Sequence, residues 1–216
     1  MCKRISYWLL GLMVGVVVGG APASEKTRPE ELVRKTTEEV LDKLEANKAA
    51  LKEDPDKVAQ FVEEYVMPHF DFQAMSQMVL AQNWRTATKE QRARFVEAFR
   101  QLLIHTYGSS LAEYSGERIE FRPMHSNPDS GRVTVSMRIH AGDGPPIPVD
   151  YKLYQRDDNP WQVFDVVVDG VSLVQNYRGS FAGEVKRKGL DALIERIQER
   201  NESRRPADES VLDKSQ

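Results

Sequence analysis

The side chains best suited to metal or acid–base chemistry are four histidines, His69, His105, His125 and His140. They stand far apart in the chain, so a metal site would have to be assembled from distant elements of the fold. An isolated histidine is more commonly a surface or partly buried side chain than a ligand. The histidines therefore predict neither a metal centre nor a cofactor site.

One serine stands in a segment similar to a nucleophile elbow. The segment "GVSLV", residues 170–174, has the first glycine and the serine of the G-x-S-x-G pattern, but the second glycine is missing. No oxyanion motif precedes it. Because Ser172 stands directly before a run with helical spacing, we predict that it caps that helix instead.

Two aspartates, Asp150 and Asp165, lie within predicted strands and would be the candidate bases of an enzyme. The alternation of its strand places Asp150 on the polar, solvent-facing side. The segment "GDGPP" is typical of a hairpin turn rather than of a phosphate-binding loop. Catalysis is not predicted, and an enzyme of the cone-shaped α+β type, with a carboxylate in its cavity, is retained as an alternative.

Apolar residues at helical spacing predict four helical segments in the first half of the chain. The first begins at the capping sequence Thr27-x-x-Glu30, with Pro29 inside it, and the second begins near Pro55 and ends at Pro68. The third covers residues 70–84. The fourth and longest begins at the capping sequence Thr88-x-x-Gln91. Helical spacing returns from residue 172 to residue 200.

After Gly116 the apolar period changes from helical to alternating. Strong turn sequences separate four such segments, which predicts an antiparallel meander. The first three have one apolar and one polar face. The last, residues 161–168, is apolar on both faces, which predicts that both of its sides are covered. The predicted fold class is α+β: a curved antiparallel sheet of about four strands packed against N- and C-terminal helices.

The first 23 residues have the organisation of a cleaved secretory signal. Lys3 and Arg4 precede an apolar run shorter than the ~20 residues of a bilayer span, and residues 21–23 form an A-x-A cleavage site. Their removal takes away the only cysteine and two of the 30 basic residues, which leaves 28 basic against 33 acidic residues and a net charge of −5. The mature chain is thus predicted to be a soluble periplasmic protein without disulfides, and not a nucleic-acid-binding protein.

The mature chain is predicted to form one domain over residues 24–200, followed by a polar, disordered tail over residues 201–216. Both the sheet and the helices of this domain carry apolar side chains. Periodicity alone does not distinguish a filled core, in which the two layers pack directly, from a lined pocket. A filled core would suit a periplasmic adaptor or chaperone that binds partners and no lipid.

Two segments resemble the MlaC family, the periplasmic phospholipid carriers also called toluene-tolerance proteins. They are residues 70–114 and residues 149–181, and the similarity extends from about Arg28 to Glu199. The second segment is the more specific; its residues in the family's pattern are Trp161, Asp165, Gly170, Ser172, Tyr177, Arg178 and Phe181. Ala81 departs from the pattern, which has glycine there, and this departure concerns a turn rather than the pocket-facing residues.

The resemblance implies an apolar cleft between sheet and helices that takes the acyl chains of a glycerophospholipid, with no cofactor besides this cargo. It also implies two partners, an outer-membrane lipoprotein–porin complex and the substrate-binding subunit of an inner-membrane ABC transporter. Candidates for docking or head-group contacts are Arg92, Arg94, Arg100 and Arg178. The residues expected to contact lipid are Phe70, Met75, Val79, Phe95, Phe99, Leu103, Tyr107, Val135, Met137, Val149, Tyr151, Val166, Val168, Tyr177 and Phe181.

Overall fold

The computed structural model describes residues 28–156 and 160–204. The expected signal peptide, residues 1–23, and residues 205–216 of the expected tail lie outside these ranges. Within them, no helix combines the length and the apolar character that crossing a bilayer requires.

The described residues form seven α-helices and five β-strands, so the predicted α+β class is confirmed. The helices are α1 Pro29–Glu53, α2 Pro55–Tyr65, α3 Phe72–Leu80, α4 Gln82–Thr86, α5 Lys89–Ala112, α6 Leu173–Lys188 and α7 Leu190–Glu202. The strands are β1 Arg118–Phe121, β2 Arg132–His140, β3 Ile147–Tyr154, β4 Gln162–Val168 and β5 Val171–Ser172. Two short 3₁₀ turns, Met67–His69 and Pro128–Ser130, complete the set within the described ranges.

The sheet is an antiparallel meander in the order β1-β2-β3-β4-β5. The first four strands are the predicted ones. The fifth is a two-residue strand that returns along β4 after Asp169 and Gly170, whose φ angles are 48° and 78°. Positive φ at both central residues is the pattern of a two-residue hairpin turn, which Asp-Gly favours.

The predicted single helical piece over residues 70–84 is wrong, because the chain breaks between α3 and α4. Asp71 caps α3 by accepting a hydrogen bond of 2.8 Å from the Ala74 backbone N–H. At Ala81 the backbone turns to φ 50° and ψ −113°, a region that side chains with a Cβ rarely adopt. Apolar spacing carries no information about this single residue, since the pattern continues through it.

We expect Ala81→Gly to stabilise the protein by about 1 kcal/mol. Strain at such a position costs on the order of 1–3 kcal/mol, and the larger freedom of glycine in the unfolded chain offsets only part of the gain. The measurement is the midpoint of urea unfolding. The matched control is Ala49→Gly on the exposed face of α1, which should instead destabilise by about 1 kcal/mol. Equal destabilisation by both changes would contradict a strained Ala81.

The C-terminal helices and α5 form a helical core with α3. The predicted capping box of α5 is confirmed, since Thr88 N–H donates to Gln91 Oε1 at 3.0 Å and Gln91 N–H to Thr88 Oγ1 at 3.1 Å. Helix α7 continues two residues past the expected start of the tail. Asn201 is buried there and donates from Nδ2 to the Ala98 carbonyl at 2.9 Å.

The buried apolar side chains form three separate clusters that lie next to one another. One joins α3, α5, α6 and α7; a second joins the inner face of the sheet to α1; a third joins α1, α2 and the C-terminal half of α5. Helix α1 contacts the inner face of the sheet through Leu32 and Val33. Space is left where the second and third clusters face each other.

Candidate functional site

An apolar cavity of about 1010 Å³ lies between the inner face of the sheet and the helices. This volume is at the top of the roughly 300–1,000 Å³ range typical of small-molecule sites. The apolar side chains of its sheet wall are Ile119, Met137, Ile139, Ile147, Val149, Tyr151, Leu153, Val163, Val166, Val168 and Val171. Those of its helical wall include Leu32, Val33, Val40, Leu41, Val62, Val66, Phe70, Phe72, Met75, Leu103, Ile104, Tyr107, Leu111 and Tyr114.

A bulge lets β4 contribute to the wall along its whole length. Val163 and Val166 both line the cavity, although an odd spacing places two residues on opposite faces of a regular strand. The pairing of β4 with β3 shifts between Lys152 and Leu153, so that Phe164 is skipped and the strand changes face. This change of face explains why the strand is apolar at both parities in the sequence.

The cavity opens through a rim of exposed apolar side chains. Ile147, Val168, Val171 and Tyr107 all line the cavity and are 39%, 41%, 59% and 45% exposed. The first three lie at the same end of the sheet, because Val149 pairs with Val168 and the turn to β5 follows directly. A continuous apolar opening of this kind marks a place where a ligand or another apolar surface is received.

Polar groups are few and lie toward the edges of the cavity. They include Thr36, Thr37, Ser110, Asn176 and Glu113. The structure offers no cluster of three or more metal-binding side chains within residues 28–156 and 160–204.

A histidine and a glutamate of the lining have lowered pKa values. Burial lowers the pKa of His69, which favours its neutral form. Hydrogen bonds from the Ser115 backbone N–H and its hydroxyl lower the pKa of Glu117, which favours its ionised form.

Tyrosine hydroxyls are the other polar groups of the lining. Burial, followed by the charge and hydrogen bond of Tyr177, raises the pKa of Tyr107 to about 12. The Tyr114 hydroxyl donates to the Glu117 carbonyl at 3.2 Å. Burial alone raises the pKa of Tyr151. All three are therefore neutral donors at ordinary pH.

The structure brings nine of the fifteen expected contact residues to the cavity. They are Phe70, Met75, Leu103, Tyr107, Met137, Val149, Tyr151, Val166 and Val168. The other six, Val79, Phe95, Phe99, Val135, Tyr177 and Phe181, do not line it.

Most of those six belong to the helical core. Phe95 and Phe99 are fully buried and stack on each other at 5.7 Å, and the rings of Phe181 and Tyr177 pack edge-on or tilted against them. Val135 is buried between the sheet and α1. Helical spacing identified these residues as buried, but not which neighbour covers them.

Sequence reasoning missed the contribution of α1. Leu32, Val33, Val40 and Leu41 line the cavity from this helix, together with Thr36 on the same face. The signal was available, because these residues repeat at intervals of three and four. The repeat does not indicate, however, whether that stripe faces the sheet or another helix.

The buried carboxylate of Asp165 holds the fold together and does not line the cavity. Its Oδ2 accepts from Ser172 Oγ at 2.7 Å and from Lys152 Nζ at 3.0 Å, and its Oδ1 accepts from the Val174 backbone N–H at 3.1 Å. The predicted cap is confirmed, since Ser172 Oγ accepts from the Gln175 N–H at 3.1 Å. Two of the three side chains considered for catalysis, Asp165 and Ser172, therefore fix the start of α6.

Three of the four candidate docking arginines form hydrogen bonds or ion pairs within the protein. Arg92 donates to the Trp84 carbonyl at 2.9 Å. Arg94 pairs with Asp191 at 3.2 Å, and Arg100 pairs with Glu63 of α2 at 3.1 Å and with Glu97 of its own helix at 2.8 Å. Arg178 is exposed on α6.

A second, polar groove of about 750 Å³ lies on the opposite face of the sheet. Arg132 lies over the Phe164 ring at 5.8 Å and Arg156 over the Tyr154 ring at 5.0 Å, and both line the groove with Arg85. These three guanidinium groups form no ion pair within the described ranges, whereas two of the four predicted docking arginines, Arg94 and Arg100, do.

Comparison with known proteins places the fold and the cavity in context. The family model described as "MlaC protein" matches residues 34–199. A toluene tolerance protein, ttg2D of Pseudomonas putida, is 32% identical over 164 residues, 76% of this chain and 75% of that protein. An intermembrane phospholipid transport system binding protein, MlaC of Haemophilus influenzae, is 24% identical over 179 residues, 82% of this chain and 84% of that protein.

A solved structure has the same fold. It is the phospholipid-binding protein from Ralstonia solanacearum in complex with a phospholipid, 27% identical in sequence with a TM-score of 0.75. The match covers 81% of this chain and 97% of that chain.

Proposed function

The chain belongs to the MlaC family, and we propose that it is a periplasmic phospholipid carrier that shuttles glycerophospholipids between outer- and inner-membrane complexes. In this role it would contribute to the lipid asymmetry of the outer membrane. The cargo is the only ligand required. The relatives named for phospholipid binding and transport support the cargo class.

The observation that carries the proposal is the apolar cavity of 1010 Å³ with its apolar rim. Exposing acyl chains to water costs about 0.8 kcal/mol per methylene, so two chains with ~30 methylenes represent on the order of 24 kcal/mol. A carrier that crosses water must therefore enclose most of both chains. A lining this apolar supplies that enclosure.

The energetics also favour exchange at membranes. A bilayer offers the acyl chains the same apolar environment as the cavity, so loading and release are nearly balanced. A partner complex can then set the direction by engaging the rim around Tyr107, Ile147 and Val171, through which the lipid passes. We propose an outer-membrane lipoprotein–porin complex and an inner-membrane ABC transporter subunit as these partners, and the expected signal peptide as the route to the periplasm.

The two alternative functions fit the site less well. An adaptor with a filled core would not need a cavity of 1010 Å³. An enzyme of the cone-shaped type would need a buried carboxylate facing the cavity, whereas the buried Asp165 does not line it and is bound by Ser172 and Lys152. The carboxylates that do line the cavity, Glu113 and Glu117, lie where solvent reaches them.

We expect the mature protein, purified without detergent, to carry glycerophospholipid. Native mass spectrometry should show the chain with the added mass of one or more phospholipids, and thin-layer chromatography of the extract should identify them. Extraction with organic solvent should return the bare chain, which should take up lipid again from vesicles. A chain that is bare as purified and takes up no lipid would overturn the proposal.

A further inference from the structure

Tyr151 is half-buried and lines the cavity, and its hydroxyl has no hydrogen-bond partner among the described residues. The residue lies in the middle of β3, opposite Val135 on β2 and Val166 on β4, and its side chain lines the cavity. No hydrogen bond to its hydroxyl forms within residues 28–156 and 160–204, and burial is the only influence on its pKa. The other two cavity tyrosines are satisfied, Tyr107 by Tyr177 and Tyr114 by the Glu117 carbonyl.

The position of Tyr151 along β3 determines how deep in the cavity its hydroxyl lies. Ile147 stands at the rim, and Tyr151 follows four residues later on the same face of β3. At ~3.4 Å per residue, its backbone lies about 14 Å inside the opening. Its neighbours on the lining are Val149, Leu153 and Val166, which have no hydrogen-bonding side-chain atoms.

An occupant of the cavity changes the energetics of that hydroxyl. An O–H group left without an acceptor in an apolar site costs about 1–3 kcal/mol. A hydrocarbon chain that filled the cavity would impose this cost, because it offers no acceptor. The ester carbonyl groups of a diacyl lipid are acceptors, and they lie where the acyl chains join the glycerol.

We propose that the Tyr151 hydroxyl donates a hydrogen bond to an acyl-ester carbonyl of the bound lipid. The bond fixes the position of the ester group relative to Tyr151 on β3. It also makes the carrier select ester-linked over ether-linked lipids of the same shape. This inference rests on the proposed function, since it concerns the same cavity and cargo.

The test compares two probes with the same head group and chain length. They are dipalmitoyl phosphatidylglycerol and its di-O-hexadecyl ether analogue, each titrated into delipidated protein by displacement of a fluorescent fatty-acyl probe. We expect the wild type to bind the ester lipid about five- to tenfold more tightly than the ether lipid, the ratio that one hydrogen bond supplies. Tyr151→Phe should remove the preference, because it removes both the hydrogen bond to the ester lipid and the cost of an unpartnered hydroxyl against the ether lipid.

Two controls separate recognition from folding. Tyr65→Phe removes a hydroxyl from a half-buried tyrosine of α2 that does not line the cavity, and it should keep the wild-type ratio. Lipid-free Tyr151→Phe should unfold at the wild-type temperature or above it, because the substitution removes a donor that has no acceptor. A lower unfolding temperature would show that the hydroxyl has a structural partner, against the proposal.

The outcomes are distinguishable from those of the proposed function. Equal affinity of the wild type for both lipids would overturn the Tyr151 contact and leave the carrier intact. An ester preference that persists in Tyr151→Phe would assign the carbonyl to another group and also overturn it. Failure of the wild type to bind either lipid would overturn the carrier itself.

Discussion

Val149→Trp is expected to reduce phospholipid loading at least tenfold while leaving the lipid-free protein nearly as stable as the wild type. Val149 lines the cavity at the second inward position of β3, next to Tyr151 and close to the rim. An indole ring there occupies space that an acyl chain would fill, and lost burial of a few methylenes at ~0.8 kcal/mol each already exceeds a tenfold effect. The cavity accepts the ring, so the fold is not overpacked.

The matched control is Val135→Trp on the neighbouring strand. Val135 is 1% exposed and does not line the cavity, whereas Val149 is 4% exposed and does. The control should lower the free energy of unfolding by about 1–3 kcal/mol, the usual cost of overpacking a filled core. The measurements are thermal unfolding of both lipid-free variants and lipid content by thin-layer chromatography. Unchanged lipid content with a large loss of stability in Val149→Trp would show that this part of the cavity is core.

Asp165→Ala is expected to destabilise the protein by about 3 kcal/mol, equivalent to a fall of roughly 6–12 °C in Tm for a chain of this size. The carboxylate is 2% exposed and receives three hydrogen bonds, from Ser172, Lys152 and Val174. Its loss leaves a buried hydroxyl and a backbone N–H without an acceptor, each at about 1–3 kcal/mol. The Lys152 side chain is 33% exposed and can turn to water, which moderates the effect.

Two further substitutions, Asp165→Asn and Asp150→Ala, serve as comparisons for the loss of stability in Asp165→Ala. The side-chain amide introduced by the first substitution retains one acceptor for α6 but loses the ion pair with Lys152, so an intermediate loss is expected. Asp150 lies on the adjacent strand, half-buried and away from the cavity, and Asp150→Ala should change stability by no more than about 0.5 kcal/mol. Urea unfolding of the three variants gives the comparison. Equal effects of Asp165→Ala and Asp150→Ala would contradict the structural role of Asp165.

Asp165→Ala should also loosen the cavity at one side. The hydrogen bond to Val174 anchors the first turn of α6, and Leu173 and Asn176 of that turn line the cavity. We therefore expect lipid retention to fall together with stability. In Val149→Trp the two quantities should separate, and this difference distinguishes a filled cavity from a displaced wall.

The change of apolar period at Gly116 was enough to predict helices followed by an antiparallel meander. Local sequence also predicted the caps at Ser172 and Thr88, because each depends on atoms within a few residues. The break at Ala81 could not be predicted in this way. Alanine has no local preference for the positive φ that Ala81 adopts, and only the glycine of the family's pattern at this position pointed to a turn.

Asp150 and Asp165 show that the sequence pattern does not predict how deeply a polar side chain is buried. Both stand in strands with similar surroundings in the sequence, yet one is half-buried and the other is enclosed by Lys152 and Ser172. Both side chains lie on the face away from the cavity, because Asp150 pairs with Val167 and Asp165 with Lys152. The difference is that the start of α6 covers Asp165 through Ser172 and Val174, and a pattern along one strand does not contain this tertiary contact.

The sequence by itself determined which side chains are apolar, how they repeat, and therefore which faces of the helices and strands leave water. Only the tertiary structure decided which of those faces meet. Phe95 and Val149 are equally typical core residues by spacing, but Phe95 is covered by the rings of α6, while Val149 faces a cavity. The hydrophobic effect removes apolar surface from water without specifying what covers it. A filled core and a lined cavity therefore have the same apolar pattern in the sequence, and only the arrangement of α1, α5 and the curved sheet distinguishes them.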